Sequence, residues 1–289
     1  MPSYINTNLA SLQTQRSLST SQTKLQGAME RLSSGLRINS AKDDAAGFGI
    51  ASGMDKTIRG QNVAIRNAND AISLSQTAEG AMSKIGDNLQ RMRELAVQSA
   101  NGTNSSTDRT SLNKEFSALQ AEITRVTAST KFNDQTVLKS SAGSTKPFQF
   151  QIGAGTSTAT DQITLTIKDL SSSTTSDTGA LVKSSGSLNT FNITTSSSAT
   201  AAINQIDLAM KEINSESINH GAVQNRLTST ISTLQASVEN QTAALSRIKD
   251  ADFASETSNM ARSQILQQAG MAMLSQANQL PQGVMALLR

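Results

Sequence analysis

"INQIDLAMKEINSESINHGAVQNRLTSTISTLQASVENQTAALSRI", residues 203–248, carries one unbroken seven-residue repeat. Its apolar residues occupy the two repeat positions that form a helix seam: Ile203, Ile206, Met210, Ile213, Leu227, Ile231, Leu234, Val238, Leu245 and Ile248. The same frame holds the polar residues Ser217, His220, Gln224 and Gln241. A repeat sustained over this length predicts one long helix, about 70 Å at 1.5 Å per residue, packed along a seam against other helices.

The N-terminal half supplies partners for this helix. One segment, which begins near Gly60, spaces its apolar residues three and four apart: Met82, Ile85, Leu89, Met92 and Ala96. After the break "SANGTNSSTD" (99–108), a second segment does the same with Leu112, Phe116, Leu119, Ile123 and Val126. Asp108 is the predicted N-cap of that segment. We therefore predict a mainly α fold, an elongated coiled-coil-like bundle built from the N- and C-terminal segments.

The middle of the chain, residues 139–201, has a different composition, rich in Ser and Thr and poor in charge. Within it, "PFQFQI" (147–152) and "ITLTI" (163–167) alternate apolar and polar residues. This alternation predicts strands with one buried face. We expect a small β-rich insert here.

Both ends of the chain form amphipathic patterns. Leu18, Leu25 and Leu32 are seven apart, as are Leu266, Met273 and Leu280, and the last segment adds Val284, Leu287 and Leu288. Each apolar stripe is larger than one partner helix can cover, and isolated helices of this length are marginal in water. We expect both ends to pack against other copies of the chain, in a contact that propagates into a filament.

Composition excludes most chemistry. The chain has no cysteine and a single histidine, His220, which removes disulfides, thiolate sites, histidine triads and multi-histidine metal sites. The net charge is only +3 without a basic run, which argues against nucleic acid as a partner. No apolar run is long enough to span a membrane, and the N-terminus does not resemble a cleaved signal peptide. We expect no catalytic, metal or cofactor site, and His220 is interpreted as a polar notch in the helix seam.

"SSGLRINSAKDDAAGFG" (33–49) interrupts the helical pattern with charges placed between glycines: Arg37, Lys42, Asp43 and Asp44. Two adjacent carboxylates without further oxygen ligands make a weak cation site. We expect them to form salt bridges with Arg37 or Lys42, in a joint between two helices.

The chain resembles bacterial flagellin over residues 1–138 and 202–289. The stretches that carry the resemblance include "INTNLASL" (5–12), "AMERLSSGLRINSAKDDAAG" (28–47), "LQRMRELAVQSANGTNS" (89–105), "SRIKDADFASETSNMARSQILQQAGMAML" (246–274) and "QANQLPQGVMALLR" (276–289). The resemblance implies a subunit of the extracellular flagellar filament, which serves swimming motility. A hook–filament junction protein related to flagellin is the alternative. An enzymatic insert would need metal ligands, and residues 139–200 contain no His, Cys or Glu.

The resemblance also implies a division of the chain. Residues 1–34 with 255–289 would be inner-tube helices, 35–46 with 249–254 a connector, 47–138 with 202–248 a rod-shaped outer-tube domain, and 139–201 a variable solvent-facing insert. The implied partners are further copies of the chain, a flagellar export chaperone, the cap and hook-associated proteins, with unfolded export through the flagellar type III system. A Toll-like innate immune receptor would recognise Arg91, Leu95 and Glu115.

Overall fold

The computed structural model describes residues 8–139, 145–170 and 191–287. Its helices are α1 (Leu9–Ser34), α2 (Ala45–Ala100), α3 (Ser106–Ser129), α4 (Ser196–Lys249) and α5 (Phe253–Leu287). Its strands are β1 (Lys131–Phe132), β2 (Gln135–Thr136), β3 (Thr145–Gln151) and β4 (Gln162–Lys168). The prediction of a mainly α chain with a small β-rich insert is confirmed.

The chain divides into two compact units. The first comprises residues 1–58 and 239–289, and the second comprises residues 59–238. In the first unit α1 and α5 pack against each other. In the second unit, segments of α2, α3 and α4 share one apolar core with the strands of the insert.

The core of the second unit follows the predicted repeats. Met82, Ile85, Leu89 and Met92 of α2 are fully buried, together with Phe116 of α3. From α4 the core receives Ile206, Ala209 and Ile213. All of these residues except Ala209 lie at predicted seam positions. On α4 the sequence predicted Met210, but Ala209 is the buried residue and Met210 is only partly buried, so the α4 seam is confirmed in part.

Strands β3 and β4 pair antiparallel, with Phe148 opposite Leu165. Ile163, Leu165 and Ile167 of β4 are buried, whereas Thr164 and Thr166 between them are exposed. The buried face of β4 belongs to the same core as the helices. A second, two-residue hairpin, β1–β2, was not predicted. Its turn residues Asn133 and Asp134 have φ of 48° and 61°, which these two residue types tolerate better than most.

Two helix starts differ from the predictions. The N-cap of α3 is Ser105, and Asp108 is its reciprocal partner three residues on, since each side chain accepts a hydrogen bond from the other's backbone amide. Asp108 was therefore placed in the right motif but at the wrong position. Helix α2 begins at Ala45, before Gly60. Glycine destabilises a helix interior by about 1 kcal/mol. Because several glycines precede Gly60, the sequence did not indicate that the helix extends over this part.

Candidate assembly and recognition sites

Helices α1 and α5 form an antiparallel pair with a polar and small-residue contact. Asn8 donates from Nδ2 to the carbonyl of Ala277 at 2.7 Å, and Ser11 donates from Oγ to Asn278 Oδ1 at 2.8 Å. At the other end of the pair, the Arg31 guanidinium lies 3.1 Å from Glu256 Oε1. The buried residues of this pair are small or polar: Ser11, Ala28, Glu256, Ser263 and Ala277. The seven-residue repeat did not indicate this contact, because the repeat consists of large apolar residues and the contact consists of small and polar ones.

Large apolar side chains lie mostly outside this contact. Leu18, Leu25 and Leu32 are half-buried, and the Cδ1 atom of Leu18 approaches Gly270 of α5. By contrast, Leu266 is 50% exposed and Met273 is 59% exposed. The other large apolar residues exposed on the two helices are Leu9, Leu12, Met29, Phe253, Ile265 and Met271. The expectation that the ends pack against other chains is incomplete, since α1 also pairs with α5 of the same chain.

The last predicted assembly residues can be placed only in part. Leu280, Val284 and Leu287 lie on α5, which ends at Leu287. Leu288 lies outside the described residues. Their role in assembly therefore stays a prediction.

The connector joins two backbone segments through main-chain hydrogen bonds. Helix α1 ends at Ser34 and is capped by Gly35, whose φ of 72° is a left-handed conformation that glycine adopts without strain. Leu36 forms an isolated antiparallel bridge with Asp250. The Arg37 amide donates to the Lys249 carbonyl at 2.7 Å, and its guanidinium donates to the Ile248 carbonyl at 2.5 Å. Arg37 thus fastens the residues after α1 to the end of α4.

Asp43 and Asp44 organise the backbone rather than form the predicted ion pairs. Asp43 Oδ2 accepts from the amides of Asn39 and Ser40 at 3.1 and 2.9 Å. These backbone hydrogen bonds hold the pKa of Asp43 below its ordinary value. Asp44 Oδ1 accepts from the Gly47 amide at 2.9 Å, and a Cβ on Gly47 would collide with that carboxylate. The prediction of salt bridges with Arg37 or Lys42 is wrong. Both carboxylates accept hydrogen bonds from backbone amides instead, and Lys42 is exposed.

Arg91 and Glu115, predicted for recognition, are brought together across α2 and α3. Arg91 Nε donates to Glu115 Oε1 at 2.9 Å, and NH1 donates to Glu94 Oε2 at 2.8 Å. The hydrogen bonds to Glu94 and then Glu115 raise the pKa of Arg91. All three side chains are about half exposed or more. The pair therefore presents a cation and a carboxylate at the surface of the second unit.

Leu95, the third predicted recognition residue, faces the opposite way. It is only 1% exposed and belongs to the core of the second unit. The sequence contained the signal for this position, because Leu95 lies three residues after Met92 on the buried stripe. Leu95 can position α2 beneath Arg91, but it offers no surface to a partner of the folded chain.

His220 forms a buried polar cluster with residues of α2. Its Nδ1 lies 2.9 Å from Ser75 Oγ, and both residues are fully buried. Gln224 donates to Ser75 Oγ at 3.1 Å and to Glu79 Oε2 at 3.0 Å. The direction of the hydrogen bond between Ser75 Oγ and His220 Nδ1 depends on the tautomer of the imidazole. Nε2 has no partner among the described residues, and the predicted polar notch is a buried cluster of His220, Ser75 and Gln224.

Acidification is expected to weaken the second unit through His220. Burial lowers its pKa below the ordinary 6.5, and Glu79 opposes this only in part. Below about pH 6.5 the unfolded chain takes up a proton that the folded chain refuses, so the free energy of unfolding falls by up to about 1.4 kcal/mol per pH unit. Urea unfolding followed by circular dichroism between about pH 7 and pH 5 measures this slope.

The matched control for this slope is His220→Gln. Glu216, one turn away, has a pKa raised by burial, so that it takes up a proton on folding and acts with the opposite sign. Glu216 and Glu79 are retained in both proteins, and the difference between them isolates the imidazole. Equal slopes in the wild type and the His220→Gln variant would refute the role of His220.

Neither a metal-binding cluster nor a membrane-spanning helix occurs among the described residues. Residues 8–139, 145–170 and 191–287 contain no group of three or more metal-ligating side chains that could hold a metal ion. Among the helices described, none combines the length and apolar character needed to cross a lipid bilayer.

The chain is mainly helical, and its terminal helices expose apolar side chains. These two features are typical of structural proteins that self-associate. Comparison with known proteins specifies the family. The family model for the bacterial flagellin N-terminal helical region matches residues 5–142, and the model for the C-terminal helical region matches residues 203–288. A flagellin of Halalkalibacterium halodurans is 44% identical over 285 residues, and one of Bacillus subtilis is 42% identical over 305 residues. Each alignment covers 99% of both chains.

Among solved structures, the crystal structure of Bacillus cereus flagellin is 32% identical, with a TM-score of 0.47. The match covers 62% of this chain and 94% of that one. By its family-model matches and its full-length relatives, the chain belongs to the bacterial flagellin family. It is a structural subunit that self-assembles into the flagellar filament, outside the cell.

Proposed function

We propose that the subunit polymerises chiefly through the apolar side chains that the α1–α5 pair leaves exposed. Ile265 is 66% exposed on α5, beside Leu266, and Leu9 is 66% exposed on α1. Several large apolar side chains exposed on one helix pair are typical of an association surface. Each such side chain, when buried by a neighbouring subunit, would contribute about 1.5–3 kcal/mol. This exposed surface is the observation that carries the proposal.

The proposed division of labour follows from this assignment. Residues 1–34 with 255–289 form the inner tube of the filament, and residues 47–138 with 202–248 form its outer tube. Residues 35–46 with 249–254 connect the two, and 139–201 face the solvent. The hydrogen bonds from the Arg37 amide and guanidinium to main-chain carbonyls support a connector held by contacts to the backbone rather than by ion pairs between side chains.

The proposed route to the filament begins with export of the unfolded chain by the flagellar type III system. A chaperone holds the C-terminal helix before export, and the cap and hook-associated proteins direct assembly. The small and polar residues of the α1–α5 contact support a route in which the terminal helices become stable only on assembly. A contact without a large apolar core stabilises a helix pair weakly, and the terminal helices then depend on neighbouring subunits for their remaining burial.

We also propose that a Toll-like innate immune receptor recognises the second unit at the Arg91–Glu115 pair. The half-exposed guanidinium has donors left for a partner carboxylate, since Arg carries five N–H groups. Leu95 is assigned a positioning role, because its side chain is buried in the core. Leu95 is therefore proposed to hold α2 in position rather than to contact the receptor.

Limited proteolysis tests the assembly proposal. In the dilute monomer, a protease is expected to remove the terminal segments while it leaves the core of the second unit intact. After polymerisation the same segments should resist cleavage, because neighbouring subunits cover them. Mass spectrometry of the fragments locates the cleavage sites. Terminal segments that are cleaved equally fast in monomer and filament would contradict the proposal.

A further inference from the structure

The turn between α2 and α3 contains the only Asn-Gly pair of the sequence, Asn101–Gly102. Helix α2 ends at Ala100, and both residues of the pair are exposed. Asn-Gly is the dipeptide in which the following amide nitrogen reaches the side-chain carbonyl carbon most easily, because glycine has no Cβ to obstruct the approach. The turn therefore places a reactive pair outside the protection of a helix.

The amide nitrogen of Gly102 is accessible. It donates no hydrogen bond to the described residues, and a Cβ built on Gly102 has no neighbour within 4 Å. The Asn101 side chain is held only by a long contact, 3.5 Å from the Thr103 amide to Oδ1. Nothing in the surrounding structure thus prevents the nitrogen and the side-chain carbon from meeting.

Arg109 of α3 contacts the same peptide group. Its guanidinium donates to the Asn101 carbonyl oxygen at 2.9 Å. That oxygen and the Gly102 nitrogen belong to one peptide unit, so a cation on the oxygen favours loss of the proton from the nitrogen. The Nε of Arg109 is buried and has no acceptor among the described residues. A carboxylate formed on residue 101 would give this guanidinium a charged partner.

We propose that Asn101 is a site of spontaneous deamidation that Arg109 promotes. The Gly102 nitrogen, after losing its proton, bonds to the Asn101 side-chain carbonyl carbon. The bond to the side-chain nitrogen breaks, and that nitrogen leaves as ammonia with the proton, which yields a cyclic imide. Water then opens the ring at either carbonyl and gives aspartate or isoaspartate. The net change is one water consumed and one negative charge gained on the chain, and the ammonia leaves as ammonium with the proton of the new carboxyl group.

The modification changes the turn before the capping box of α3. Isoaspartate adds one methylene to the main chain between Ala100 and Ser105, and either product adds a carboxylate beside Arg109. The modified turn belongs to the second unit, as does the Arg91–Glu115 pair.

Peptide mass mapping of the full-length protein during incubation at neutral pH tests the proposal. Asn101 should convert several-fold faster than Asn104, whose side chain is held by the Gln98 carbonyl at 2.6 Å. The Arg109→Gln variant should slow conversion of Asn101 several-fold, and Arg109→Lys, which keeps the charge, should slow it less. Gly102→Ala, which the open space accommodates, should reduce conversion strongly.

A second measurement compares the folded with the unfolded protein. In the wild type, conversion of Asn101 should be faster in the folded protein than in urea, since unfolding removes Arg109 from the peptide. In urea the wild type and Arg109→Gln should convert at equal rates. Equal rates for the two folded proteins, a faster wild-type rate in urea, or faster conversion at Asn104 would each overturn the proposal.

Discussion

Replacing Leu266 and Met273 together by glutamate is expected to abolish filament formation while the second unit stays folded. Both side chains are at least half exposed on α5 in the single chain, so the change leaves its core untouched. Burial of their exposed halves in the filament would otherwise stabilise each subunit by about 1.5–3 kcal/mol from these two residues together. Loss of this burial, together with the cost of burying two carboxylates, raises the critical concentration by at least about a hundredfold. Sedimentation of polymer across a concentration series measures this value.

The control for this experiment is Gln268→Glu, a charge change at an exposed position of the same helix. It should leave the critical concentration within a few-fold of the wild type. Circular dichroism of the monomers checks that the helical content is unchanged. Filaments of normal length from the Leu266→Glu, Met273→Glu double variant would refute the assembly surface.

The Arg91→Ala variant is expected to reduce Toll-like receptor signalling by the monomer at least about tenfold, the effect of losing one charge-assisted contact of about 1.5–3 kcal/mol. The fold should remain, because the ion pair with Glu115 is exposed and contributes little to stability. A reporter assay in receptor-bearing cells measures the concentration that gives half-maximal signalling.

Two further variants separate contact from support. Arg93→Ala removes a similar exposed pair, since Arg93 Nε donates to Asp207 Oδ1 at 2.7 Å, and it should leave signalling unchanged. Leu95→Ala should lower the free energy of unfolding by about 2–5 kcal/mol, as for other buried leucines. Signalling reduced equally by Arg91→Ala and Arg93→Ala would contradict a specific role for the Arg91–Glu115 pair.

The sequence predicted those parts of the fold that depend on periodicity. The seam of α4 and its partners on α2 and α3 could be read from apolar residues three and four apart, because burial of such a stripe is what keeps a long helix stable. The strands of β3 and β4 were predicted by alternation. Helix α4 begins at Ser196, somewhat before the repeat, and ends at Lys249.

Other parts depend on contacts that carry no periodic signal. Arg31 and Glu256 lie far apart in sequence and meet because α1 and α5 run antiparallel. Ser11, Ala28 and Ala277 are buried because small side chains let two helices approach, and they are not part of the apolar heptad pattern. The ion pairs of Lys168 with Glu212 and Glu216, which link β4 to α4, also have no periodic pattern and were not predicted.

The connector was predicted in location but not in chemistry. Glycines marked both ends of the connector in the sequence: Gly35 caps α1, and Gly47 lies in the first turn of α2, which begins at Ala45. The roles of Asp43 and Asp44 depend on which backbone amides the turn brings near. The sequence shows nearby cations that could pair with the two carboxylates. In the folded turn, however, the carboxylates accept from backbone amides three or four residues away.

The most direct test of the central claim is a cryo-electron microscopy reconstruction of filaments assembled from this chain. The account predicts that α1 and α5 lie at the smallest radius, and that Leu266 and Met273 are buried against neighbouring subunits. A reconstruction in which these two side chains remain exposed, with the contacts between subunits made elsewhere, would contradict it.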